Sequence, residues 1–548
     1  MSRFSLLLLL GILALPAPAI AQDCLTGGSS TLFANGFEGA DPNGAVFIDS
    51  DLPGLSRLPV TTLNIPATPP LAITGPLTPT IRAQANGSWQ AQATWGGRLP
   101  GDCDIVEIPR GRTVSLTGAT AHLNGLWVDG ALEFGAADVR LSSRFIVVSG
   151  RMQAGTESTP YRHSALISLF GSDPNFNVLG MGAKVIAVVG GGLLKLHGEQ
   201  RLAWTRLAQT VNPGASSITT VDAPTRWRVG DQILLVASGF DPREAETLTI
   251  TGVSNSQISF SPPLRFPHVG MVQSYAGRTL DQRAAVALLS RNIKIRGADD
   301  SIASAFGGHV MSMAGAHAQI SGVEFQQMGQ RGRFGRYPMH WHIAGDRAGN
   351  YLIASTINRS FQRAAVIHST HNVLLDANIA YDVSNHAFVW AEDGDEFGNR
   401  LTRNVGALIR SPAPQHFAFP INNPFHGNNS QDEHRSSVFW GRSFDRMVLT
   451  GNISAGALDG FGYFFDLFSP APFGADEGAG LVFDGNTAHS TYKTLATGNQ
   501  INYPESTTGH GLMVSTGSSG LRDHVFRNYT GFHNVSGAWL EDRRMQLR

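Results

Sequence analysis

From about residue 86 onward the apolar positions come in short runs, and nearly every run is closed by glycine. TVSLTG, LNGLWVDGALEFG, VRLSSRFIVVSGRMQAG and ALISLFG alternate apolar and polar residues or are briefly continuous. Runs of this length between glycine turns predict β-strands. SSITTVDAPTRWRVGDQILLVAS and LTITGVSNSQISFSPPL continue the β texture, and no long helical period appears. From about 285 the rhythm becomes regular. NIKIRG, AQISGVEFQQMG, NYLIASTINRSFQRAAVIHS and NVLLDANIAYDVSNHAFVWAEDG repeat with a period in the low twenties. Each repeat is an aliphatic pair, then Asn or Val, then small residues, then an apolar run. That period predicts an all-β chain whose C-terminal part is a right-handed parallel β-helix, a pectate-lyase-like solenoid of stacked coils.

The ends and joints follow from local texture. Residues 1–21 read as a signal peptide: Arg3, the apolar run LLLLLGILAL, then Ala19-Ile20-Ala21 before Gln22. The apolar run is too short to cross a bilayer, and no later run resembles it. The expectation is a secreted chain, extracellular or periplasmic, with no membrane span after cleavage. Residues 22–85 are rich in Pro and Thr and read as a tail and linker. Residues 86–210 read as a glycine-rich β-domain, 211–284 as a β-rich connection and 285–548 as the β-helix. Residues 411–436 read as a long loop of the kind that shapes a cleft on a rigid scaffold. The chain stops within what reads as another coil.

Charge narrows the partners. The formal net charge is −1, which argues against a general nucleic-acid binder. The basic residues are 37 Arg and 4 Lys. Arginine grips carboxylates with a planar fork, which suits a uronic-acid polymer, although a GC-rich genome gives the same bias. Export permits a disulfide between the two cysteines, Cys24 and Cys103; two free thiols are the alternative.

The stretch GRYPMHWHIAGD, residues 335–346, concentrates the chemistry. On a strand, His340 and His342 share one face and Trp341 takes the other. Stepping by 23 residues predicts three lateral columns: His340 with Arg363 and His386; Arg336 with Arg359 and Asp382; Asp346 with Ser369 and Glu392. Histidine moves protons near neutral pH. Asp346, Asp382, Glu392 and Asp393 are candidate acids, bases or orienting groups. Arg336, Arg359 and Arg363 are candidates to bind an anion, and Tyr337 and Trp341 to stack on a sugar ring. Stacked His or Asn ladders also serve structure alone. Asn358, Asn378, Asn404, Asn452 and Asn486 read that way, as turn residues bonding the backbone. The acidic run EDGDE, residues 392–396, reads as a solvated turn or a calcium loop. A zinc site from His340, His342 and a carboxylate is a further alternative.

These motifs carry a resemblance. WGGRLPGDCDIVEIPRGRTVSL, LNGLWVDGALEFG and IVVSGRMQAG resemble the eight-glycine domain, through Trp95, Pro100, Gly101, Asp102, Gly111, Gly130, Gly135, Gly150 and Gly155. GRYPMHWHIAGD, NRSFQRAAVIH and NHAFVWAEDG resemble the central β-helix of the cell-migration-inducing and transmembrane hyaluronidase family. The first domain also resembles that of fibrocystin-like proteins. The resemblance implies a parallel β-helix and calcium-assisted depolymerisation of hyaluronan. It places Arg336, His340, His342, Asp346, Arg363, His368, Asp382, His386, Glu392 and Asp393 at the site. Trp341 stands where the family usually has Phe, and Ala391 where it has Leu, which bears on substrate choice. The expected function is depolymerisation of an anionic polysaccharide, by two carboxyl groups or by a histidine base that eliminates across the uronate. The alternative is a carbohydrate-binding or adhesion protein without turnover.

Overall fold

Alternation and glycine punctuation build a solenoid. The computed structural model describes residues 77–548 except 391, 393, 413–435, 468–479, 493–507, 517–523 and 541–544. Among the described residues, three parallel sheets of 13, 13 and 11 strands run the length of the molecule. Each coil contributes one short strand to each sheet, so the chain is a parallel β-helix. The first sheet begins at Ile81–Arg82 and ends at Ser536–Leu540; the second runs from Gly87–Ser88 to Met545–Leu547. Among the described residues no helix is long and apolar enough to cross a membrane.

The ladders pass without a break from the glycine-rich part into the regular part. Val185–Val188 pairs with His309–Ser312, and Ala165–Leu169 pairs with Ile293–Gly297. The first domain and the β-helix expected from the sequence are thus coils of one stack. The connecting segment holds the break instead. The chain leaves the stack after Leu193–His197 and forms a six-stranded antiparallel sheet from Trp204–Arg206 to Ala285–Leu288. This sheet shares a buried cluster with Ile379, Tyr381, Val405, Ala407, Ile453 and Ala455 of the third sheet. It is a side layer against the solenoid wall.

The core fills the inside of the coils. Leu126, Ile146, Ile186, Val310, Met339, Trp341, Ile367, Phe388 and Trp390 are all buried in one cluster. Glycine closes the early coils because their turns touch. A Cβ at Gly150 would lie 2.0 Å from the carbonyl oxygen of Gly130, one coil before. No other residue fits that approach. Cys103 is disulfide-bonded; Cys24, the other cysteine of the chain, lies outside the described residues, as do the expected signal peptide, almost all of the linker and most of the loop 411–436.

The columns expected at a step of 23 hold only in part. In the first sheet Met339 pairs with Ala365, a step of 26, because one extra residue falls within this strand and two more fall between it and Tyr351–Ile353. A register shift lies between His342 and Gly345. His340 therefore faces Val366, not Arg363, and His342 faces His368. The step returns to 23 at Ala365 and Phe388, and at Asn358 and Tyr381. Arg359 and Asp382 are accordingly neighbours in the third sheet, while Arg336 lies elsewhere, donating to the Gly180 carbonyl. Asp346 pairs with His371, and Ser369 contacts Asp395 and Glu396, so the third expected column does not form.

Candidate functional site: a buried histidine and glutamate cluster

The strand Met339–Asp346 alternates as the sequence implies. Met339 and Trp341 join the core, while His340 and His342 take the other face. Trp341 is fully buried, which corrects its expected role as a sugar platform: its ring fills the coil interior. Tyr337 is also fully buried, so it too offers no face to a sugar.

Three imidazoles meet outside the core. His342 Nδ1 lies 3.0 Å from His368 Nδ1 on the next coil. The His340 ring is 4.8 Å from that of His342 and stacks nearly parallel to that of His368 at 5.9 Å. One nitrogen from each ring lies within 4.8 Å of the others. The Gly335 carbonyl, 3.1 Å from His340 Nδ1, accepts that ring's N–H. The tautomer so fixed points the Nε2 lone pair into the cluster. That Nε2 is buried and has no hydrogen-bond partner among the described residues.

Glu392 reaches the same place from the turn after Phe388–Trp390. Its Oε2 lies 3.0 Å from His368 Nδ1 and 3.9 Å from His340 Nε2. Its Oε1 accepts from the Tyr337 hydroxyl at 2.7 Å and from Arg363 Nη1 at 2.5 Å. The Glu392 and Arg363 side chains are 2% and 4% exposed, so this is a buried ion pair. Burial corrects the expectation that Arg363 binds substrate: its guanidinium is packed over the rings of Trp440, Phe334 and Tyr337 and orients Glu392.

Electrostatics keep the members in defined states. Burial pushes His340 down to about 3, against the pull of Glu392, and holds His342 well below the usual range. Both rings are neutral at neutral pH. Burial alone would raise Glu392, but His368 and Arg363 outweigh it and hold its carboxyl well below the usual range. The cluster therefore combines the neutral imidazoles of His340 and His342 with an ionised carboxylate and a fixed guanidinium.

Other expected members stand apart. Asp346 accepts from Ala348 N and Asn372 Nδ2 at the solvent-exposed end of its strand. Asp382 pairs with Arg410 and Arg359 on the third sheet. His386 accepts from Ser437 N through Nδ1 and stacks on Trp440 at 4.3 Å. Asp393 lies outside the described residues. In the acidic run, Glu396 accepts from the Ser369 amide and Asp395 from its hydroxyl, so these carboxylates brace the coil. Sequence reasoning missed Trp440 and the Gly335 carbonyl. Trp440 pairs with Val389 only after the long insertion, where no fixed step points to it. A backbone carbonyl leaves no mark in the sequence.

Comparison with known proteins follows the same division of the chain. Residues 94–208 match the G8 domain family, and residues 305–500 match the CEMIP beta-helix family. The family resemblance read from the motifs therefore holds. Human Fibrocystin-L is 31% identical over 425 residues, which cover 69% of this chain and 10% of that protein. Protein rliB of Dictyostelium discoideum is 30% identical over 437 residues, which cover 75% of this chain and 38% of that protein. The chain thus spans well under half the length of these relatives. Among solved structures, a tailspike of an Acinetobacter baumannii bacteriophage, in complex with a capsular saccharide, covers 76% of this chain and 71% of its own. It is 8% identical with a TM-score of 0.18, too slight a likeness for argument. The fold rests on the strand ladders themselves.

Proposed function

We propose that this chain, which joins a G8 domain to a CEMIP-type β-helix in one solenoid, is a secreted protein that depolymerises an anionic, uronic-acid-containing polysaccharide of the hyaluronan type. The observation that carries this reading is the convergence of His340, His342, His368 and Glu392 within the CEMIP-matching coils. Imidazoles and an ionised carboxylate, which Arg363 keeps ionised, are the kinds of group such a depolymerisation draws on. Asp346 and Asp382 are engaged elsewhere, so among the described residues the cluster contains one carboxylate, not the pair that two-carboxyl hydrolysis uses.

The test is incubation of the purified chain with hyaluronan and with pectin-type polyuronates, following polymer size and ultraviolet absorbance. Shortening is the expected result. New absorbance with it reads elimination, and shortening without it reads hydrolysis. Calcium assistance, which the family resemblance implies, is read by repeating the assay with and without the ion. No shortening of any polymer by a folded sample overturns the reading. A second reading is binding without turnover; the Arg363, Tyr337 and Trp341 contacts expected to serve it are buried, so it would have to hold the polymer through other residues. Retention of the polymer on a gel without shortening would select it.

A further inference from the structure

One atom of the cluster lacks a partner among the described residues, and others crowd together beside it. His340 Nε2 is buried, carries a lone pair and meets no donor among the described residues. The two Nδ1 atoms of His342 and His368 sit 3.0 Å apart, with a carboxylate oxygen as close to one of them. A hydrogen bond between those Nδ1 atoms needs one ring protonated there and the other bare. It still leaves His340 Nε2 with nothing to bind.

We propose that His340 Nε2, His342 Nδ1 and His368 Nδ1, with Glu392 Oε2 as fourth donor, hold a single transition-metal ion of the Zn²⁺ class. A tetrahedral ion about 2.0–2.1 Å from each nitrogen places its ligands about 3.3–3.4 Å apart. The separations here, 3.0 Å, 3.0 Å and 3.9 Å, with an outer limit of 4.8 Å among the imidazoles, bracket that edge. Three nitrogen donors and one carboxylate suit zinc and its neighbours, whereas calcium takes six to eight oxygens. The surroundings are those of a metal site. The Gly335 carbonyl orients His340, and the Tyr337 hydroxyl and Arg363 hold the outer oxygen of Glu392. His342 is the half-buried ligand, so the ion lies toward the solvent side of the cluster. The inference rests on reading this cluster as the working site, and its test is read without turnover.

The chain, purified without an affinity tag, is stripped with a chelator and titrated with Zn²⁺ by calorimetry and with Co²⁺ by visible absorption. The expected result is one Zn²⁺ per chain, and Co²⁺ d–d bands of tetrahedral intensity that Zn²⁺ displaces. His342→Asn abolishes the stoichiometric uptake, and Tyr337→Phe weakens it about 10–100-fold. Should His342→Asn fail to fold, the Co²⁺ spectrum of the unaltered chain decides alone. No Zn²⁺ or Co²⁺ uptake by the folded chain, or uptake that His342→Asn leaves intact, overturns the inference. Polymer shortening by a chain that binds no Zn²⁺ removes the metal and leaves the functional reading; Zn²⁺ uptake without shortening does the reverse.

Discussion

The solenoid carries two polar ladders, and they differ in how completely their atoms are used. Along one corner, Asn378, Asn404, Asn452 and Asn486 stack on successive coils, all fully buried. Asn404 Oδ1 accepts from both the backbone and side-chain nitrogens of Asn378, and Asn404 donates to Asn452 Oδ1 and the Leu375 carbonyl. Asn452 repeats the pattern with Asn486 and the Leu401 carbonyl. The ladder closes on itself and asks for nothing from outside. On the first sheet the histidine cluster is equally buried around His340, yet leaves that ring's Nε2 unmatched among the described residues. A buried polar group without a partner costs free energy, so a fold retains it where something else supplies the partner. The satisfied ladder reads as structure; the unsatisfied cluster is the one proposed above as a site.

Substitutions sharpen that contrast, beginning with the largest effect. Arg363→Ala strands the buried Glu392 carboxylate and is expected to cost about 3–5 kcal/mol in denaturant unfolding of the metal-free chain. Asn404→Ala breaks the closed ladder at its centre and leaves buried donors and acceptors of two coils unpaired. It is expected to cost about 3 kcal/mol, with metal uptake and polymer shortening unchanged in the folded fraction. Equal stability of Asn404→Ala and the parent would remove the structural half of the comparison.

A third test uses pH away from the cluster. Burial, with the charges of Arg206 and His533, pushes His489 down to about 3. Its ring stacks on Phe532, and its Nδ1 meets the Ser490 hydroxyl at 3.0 Å. The unfolded chain takes up a proton on this histidine near pH 6.5, while the folded chain does not until near 3. Its contribution to stability is therefore full above 6.5 and is lost progressively as pH falls toward 3. His489→Phe is expected to flatten the decline in melting temperature between pH 6.5 and 4.5; an unchanged slope would contradict this. The smallest effect belongs to Arg359→Ala. Its side chain is 59% exposed beside Asp382, and its loss is expected to change stability by less than about 1 kcal/mol.

Much of this was legible in the chain. The repeat period and glycine punctuation predict the coils, because each coil must return to the same three corners and each early turn must clear its neighbour. The asparagines at 378, 404, 452 and 486 are visible as a turn position, whereas Asn358 lies within the strand Thr356–Ser360. His340 and His342 sharing a face follows from alternation. Which residues face them does not. Three added residues in one coil shift the register from 23 to 26, which exchanges Arg363 for Val366 opposite His340 and brings His368 to His342. Glu392 is visible as part of an acidic run, but its selection over Asp346 and Asp382 depends on which turn folds back over the first sheet. The side layer at 204–288 was read as β-rich, yet its contact with the third sheet pairs segments far apart in sequence.

The most direct test of the claim that the histidine cluster is a working site compares the parent chain with His342→Asn on hyaluronan and polyuronate. Both are first shown to be folded by their melting curves, and polymer size is followed over time. The account predicts shortening by the parent and a loss of about 100-fold or more in rate for the variant, at nearly equal stability. Shortening at the same rate by both would contradict it, and would return the cluster to the company of the asparagine ladder.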